Sequence, residues 1–123
     1  MGKLRTLFNS MASSTYLTSY ETANMASDID YFDIDNNQPQ AVLSTDTLGI
    51  AGAGQVNNQT FIELMDFNNH YHLYLYFILM KCSGVLGLAY PLASPNGITP
   101  VFQNMMQQGL VTEPVFSLSF SRY

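Results

Sequence analysis

The hydrophobic and polar positions are most clearly patterned between Gly84 and Val111, where a continuous apolar run gives way to helical spacing. Val85, Leu86, Leu88, Ala89 and Tyr90 form a short apolar run, the pattern of a strand buried on both faces. Gly84 and Gly87 interrupt it, and glycines inside a strand mark close approach of another backbone or of a ligand. Thr99 suits a helix cap and Pro100 the first helical position, where proline's missing N–H would lack a partner anyway. Val101, Phe102, Met105 and Met106 then recur at helical spacing, and Gly109 stands where a left-handed residue ends a helix. Beyond it, Phe116, Leu118 and Phe120 alternate with Ser117, Ser119 and Ser121, which predicts a half-buried strand.

The earlier part of the chain reads as loop and strand. Residues 7–16, L-F-N-S-M-A-S-S-T-Y, have the Ser/Asn-rich composition of a surface loop. Residues 28–35, D-I-D-Y-F-D-I-D, alternate acidic with apolar side chains, as a strand with one solvated face does. Residues 42–61 predict strand, glycine turn and strand, with Leu48 and Ile50 alternating against Thr47 and Gly49. Gly52-Ala53-Gly54 supplies the hairpin connection, and Val56 begins the return strand.

Residues 62–81, I-E-L-M-D-F-N-N-H-Y-H-L-Y-L-Y-F-I-L-M-K, break with the rest of the chain. The apolar run Tyr71–Met80 is interrupted only by His72 and ended by Lys81, too short to span a bilayer. Extending it through 71–92 to make a membrane-associated segment takes in Lys81, Ser83, two glycines and Pro91. The stretch holds no Gly, Ala, Pro or Arg, and its Phe, Tyr, Asn, Lys, Ile, Met and Leu are residues of AT-rich codons. It reads as an atypical insert, such as translated non-coding sequence, between 1–61 and 82–123.

Composition narrows the partners. A chain of 123 residues makes one small domain, and 47% hydrophobic with 11% charged residues is the composition of a folded chain. The net charge of −5, with only Lys3, Arg5, Lys81 and Arg122 positive, speaks against nucleic acid and against anionic membrane surfaces. Cys82 is the single cysteine, so no intrachain disulfide forms. The first residues, M-G-K-L-R-T-L-F-N-S, lack the apolar core of a secretory signal.

Candidate ligand sites mostly fail on chemistry. Asp33, Asp35 and Asn37 have calcium-loop spacing, but Gln38 stands at the glycine position and Ser44 at that of the bidentate Glu. His70 and His72 share a strand face, and with Cys82 offer three ligands, but the cysteine has no partner at short spacing. No metal and no cofactor are expected. The G-A-G of residues 52–54 is not a dinucleotide loop, since Asn57-Asn58 supply no further glycine opening a helix. Asn58-Gln59-Thr60 is an acceptor sequence for N-linked glycosylation.

Several clusters together carry a resemblance. Val85-Leu86-Gly87, Ala89-Tyr90-Pro91, Thr99-Pro100-Val101-Phe102, Gln108-Gly109-Leu110-Val111 and Phe116-Ser117 stand in the order and spacing found in pepsin-like aspartic peptidases. Residues 7–16 resemble that family's surface turn after its first catalytic motif. Leu43, Asp46 and Thr47 resemble the strand after its flap, although the flap tyrosine position falls at about Asn36 and Pro39 replaces a hairpin glycine. The resemblance implies a mainly β fold, part of one lobe of a double-psi β-barrel, with one short helix near 100–108. It implies peptide or protein substrates, a missing lobe or self-association as partner, and a secretory or lysosomal location.

In this family two carboxylates share one proton, each within an Asp-Thr-Gly or Asp-Ser-Gly triplet. The aspartates here are Asp28, Asp30, Asp33, Asp35, Asp46 and Asp66, and none is followed by Thr-Gly or Ser-Gly. No catalytic residue is assigned, and the chain itself is expected to be inactive. By resemblance Val85 lines a substrate pocket and Leu86-Gly87 pack against the catalytic loop, with plain core packing as the alternative for all three. A non-catalytic peptide-binding or interaction module and a small membrane-associated protein using 71–92 are the competing functions.

Overall fold

The computed structural model describes residues 7–22, 41–65, 79 and 82–121. Strands β1 (Leu17–Thr22), β2 (Ala41–Ile50) and β3 (Gly54–Leu64) form an antiparallel sheet in the order β1-β2-β3. Helix α1 (Val101–Gln107) packs against β3. The described residues are thus mainly antiparallel β with a short helix, as expected of part of a pepsin-like lobe. The strand expected at 28–35, the expected flap positions Asn36 and Pro39, and nearly all of the Tyr71–Met80 run lie outside the described residues.

The β2–β3 hairpin forms where the glycines predict it. Ile50 pairs with Gly54, and the Ala53 N–H donates to the Ile50 carbonyl at 3.0 Å. Gly52 has φ +81, the left-handed conformation that the third residue of such a turn requires. The return strand starts at Gly54, two residues earlier than its first apolar position, Val56. Farther along, Leu48 faces Val56 and Asp46 faces Gln59, so Asn57 and Asn58 together oppose Thr47 in a β-bulge. Asn58 takes φ +52 there, a conformation that asparagine adopts more readily than most residues.

The hydrophobic core sits between this hairpin and α1. Val56 (0% exposed), Val101 and Met105 are buried together, with Leu48, Ile50, Ala53, Leu110 and Val111 packed around them. Each buried side chain of this size contributes roughly 1.5–3 kcal/mol relative to exposure. The helix begins one residue later than the capping pattern predicts. Pro100 is the cap and its carbonyl accepts the Asn104 N–H at 3.0 Å, while Thr99 makes no side-chain cap bond. The helix end matches expectation: Gly109 has φ +69, its N–H donates to Met106, and the Leu110 N–H donates to Met105 at 2.9 Å. These two bonds satisfy carbonyls that a helix end would leave open, and Leu110 folds back on the core.

Two expected strands are absent. Residues 82–90 and 115–121 form no strand, and Val85, Leu86, Leu88, Tyr90, Leu118 and Phe120 are exposed. A strand needs a partner for its N–H and C=O groups, and no described strand pairs with either segment. Gly84 and Gly87 likewise face open space, with nothing within 4 Å of an added Cβ. Residues 91–97 instead turn through two short 3-10 segments, Pro91–Ala93 and Pro95–Gly97.

Candidate functional site

Asp46 is the most highly coordinated carboxylate among the described residues. It sits on the same face of β2 as Ser44 and Leu48, because alternate strand residues share a face. A 3-10 turn at Ser10–Ala12, capped by the Asn9 side chain, leads the chain from residue 9 to Ser13 beside it. Ser13 Oγ donates to Asp46 Oδ1 at 2.8 Å, the Thr47 N–H donates to the same oxygen at 2.7 Å, and Thr15 Oγ1 donates to it as well. These bonds favour the ionised form. The Thr15 hydroxyl acts most strongly, burial opposes it, and Ser13 and the Thr47 N–H add to the lowering, so the carboxyl titrates below its ordinary 3.8.

A second cluster lies one step along the same face. Ser44, 1% exposed, donates from Oγ to Glu63 Oε2 at 2.9 Å, and the Tyr16 hydroxyl donates to the same oxygen at 2.8 Å. Phe8 covers it, its ring 5.8 Å from that of Tyr16 and edge-on to Phe61 at 5.2 Å. The cluster ties the loop before β1 to both β2 and β3. Sequence reasoning did not single out these groups, although S-T-D-T at 44–47 and S-S-T-Y at 13–16 do place hydroxyl and acid groups at alternate positions.

Neither cluster brings two carboxylates together: Asp46 and Glu63 accept from hydroxyls and a backbone amide. A catalytic carboxylate pair holds one proton between two oxygens, which raises one of the two pKa values. Asp46 shows the reverse, and its bonds come from hydroxyls and an amide. Among the described residues no group of three or more His, Cys, Asp or Glu could hold a metal ion. His70 and His72 lie outside them, as do Asp33, Asp35, Asn37 and Gln38, while Cys82 is half-buried.

The expected substrate wall is displayed rather than enclosed. Val85 is 78% and Leu86 57% exposed, and Gly87 borders open space. Asn58, the glycosylation candidate, is exposed at the β3 bulge. No described helix is long and apolar enough to cross a membrane.

The family model for eukaryotic aspartyl protease matches residues 2–123. Cathepsin D of Bos taurus is 36% identical over 123 residues, covering 94% of this chain and 28% of that protein. Pepsin A of Suncus murinus is 32% identical over 114 residues, covering 93% of this chain and 26% of that protein. Renin of Canis lupus familiaris is 29% identical over 120 residues, covering 98% of this chain and 26% of that protein. The chain therefore spans little more than a quarter of the length of these relatives. A β hairpin closed on a Gly-ended helix, the clusters from Val85 to Ser117, and a family match along almost the whole sequence agree: the chain belongs to the pepsin-like, eukaryotic aspartyl protease family.

Proposed function

We propose that this chain is a portion of an aspartic-type endopeptidase lobe and does not itself cleave peptide bonds. The surroundings of Asp46 carry the inactive half of this reading. Its Asp-Thr-Leu sequence is the nearest approach to a catalytic triplet, yet the carboxylate is spent anchoring the Ser13–Thr15 turn. Activity in the family's manner needs two triplet aspartates, and these residues supply neither. An acid-pH peptide-cleavage assay with and without a pepstatin-type inhibitor tests it. The expected result is no inhibitor-sensitive cleavage by this chain; such cleavage overturns the reading.

Within a whole peptidase, Val85 would line part of the substrate pocket, Leu86-Gly87 would pack against the catalytic loop, and the substrates would be peptides or proteins. Family membership further supports a secretory or lysosomal location. The composition of residues 62–81 supports their reading as an insert between family-like 1–61 and 82–123, whereas Ile62–Leu64 continue β3 in register with β2 and Glu63 accepts from Tyr16 and Ser44, which counts against its starting at residue 62. Transcript reads running uninterrupted through this stretch, with no splice sites at its edges, would refute it.

The exposed apolar run from Val85 to Leu92 favours a second reading, a non-catalytic peptide-binding module. Saturable binding of a peptide that is never cleaved would separate it from the first.

A further inference from the structure

We propose that Asn58 is an acceptor for N-linked glycosylation, and that the sheet is built to carry the sugar without rearrangement. The proposal rests on the secretory or lysosomal reading above, because the transferring enzyme is luminal. Asn58-Gln59-Thr60 is the single Asn-X-Ser/Thr sequence in the chain, and Gln59 at its centre is permitted.

The bulge explains how a strand residue meets the steric demand. In a regular ladder, neighbouring side chains crowd every position on a face. Here the extra residue sets Asn58 out of register, exposed and with φ +52, and no described group hydrogen-bonds its amide. Its neighbours do the structural tasks instead. The Asn57 backbone bonds Gln108, and Gln59 turns inward to Thr99. Asparagine suits a left-handed backbone even without sugar, but the bulge does not require a hydroxyl two residues later.

Thr60 Oγ1 lies 3.1 Å from Thr45 Oγ1 across the ladder, so its hydroxyl is engaged once the hairpin has closed. Transfer therefore takes place on the nascent segment, and folding has only to leave the sugar in solvent. In the step, the Asn58 amide nitrogen bonds to the anomeric carbon of a lipid-diphosphate-linked oligosaccharide. The bond from that carbon to the diphosphate oxygen breaks, the lipid diphosphate leaves with the electron pair, and the amide proton passes to a base of the transferase.

The test is expression of the chain behind a cleavable endoplasmic-reticulum signal, read by gel mobility before and after endoglycosidase treatment. The expected result is one endoglycosidase-sensitive step, lost in Asn58→Gln and in Thr60→Ala and kept in Thr60→Ser. Because transfer precedes folding, these readouts do not depend on variant stability. A luminal chain with no such step, or a step that survives Asn58→Gln, overturns the proposal. Protease protection of the product of the natural transcript is the separate arm: a product outside the lumen refutes the compartment reading, while the signal-directed arm still decides the site.

Discussion

Gln108 binds Asn57 as a neighbouring strand would: its side-chain oxygen accepts the Asn57 N–H at 3.0 Å, and its amide donates to the Asn57 carbonyl at 2.8 Å. The bulge takes Asn57 out of the ladder with β2, and the side chain of the residue that caps the helix C-terminus bonds both of its backbone groups. Gln108 is in turn held by Asn104 at 2.8 Å, and Asn104 donates to Gln59 at 3.1 Å. Replacing Gln108 by alanine is expected to lower unfolding free energy by about 1 kcal/mol, the usual net worth of such bonds at an exposed site. Gln59→Ala should cost more, about 2 kcal/mol, since it leaves polar groups unpaired in a buried place. Urea denaturation of the two variants and the double variant checks this. The double should lose less than the sum, because both residues belong to one network.

The Asp46 anchor predicts a pH dependence with a definite sign. Its carboxyl binds protons less tightly folded than unfolded, so protons favour the unfolded chain. The contribution is fully present above the ordinary pKa of 3.8 and is lost as pH falls through the lower folded value. Unfolding free energy measured from neutral pH downward should therefore fall in this window. Asp46→Asn should flatten that fall, and Thr15→Ala should reduce it more than Ser13→Ala, in keeping with the order of their effects.

Which features were legible in the sequence follows from how local their causes are. The hairpin at 50–54 and the helix end at Gly109 depend on backbone conformations that few residues accept, and glycines announce them. The runs at 85–90 and 116–120 carry equally plain strand patterns, yet pairing is a property of two segments, and no described strand meets them. Asp46 lies between these cases. Its strand position was evident, but the hydroxyls that fix its charge come from residues 31 and 33 positions away.

Gly109 offers a sharp local test. Its φ of +69 is strained for a residue with a Cβ, although there is open space around it. Gly109→Ala is expected to cost about 1–2 kcal/mol from backbone strain alone. Gly109→Asn should cost less, because asparagine tolerates this conformation. Equal losses in thermal or urea unfolding for the two variants would indicate crowding rather than backbone strain.

The last prediction concerns the two unpaired apolar segments. Val85 and Leu118 look like core residues by pattern, but both are exposed, so neither gains burial energy in this chain. Val85→Lys and Leu118→Lys should shift unfolding free energy by no more than about 0.5 kcal/mol, as surface substitutions do. Phe116 is the contrast, since its ring meets Phe102 edge-on at a centroid distance of 5.0 Å. Phe116→Ser should cost about 0.5–1.5 kcal/mol through that aromatic pair alone. A loss of roughly 1.5–3 kcal/mol in either lysine variant would mean a buried side chain, and hence a strand paired in solution where this fold has none. Small losses with unchanged cooperativity would instead leave Val85 open on the surface, where a peptide can reach it.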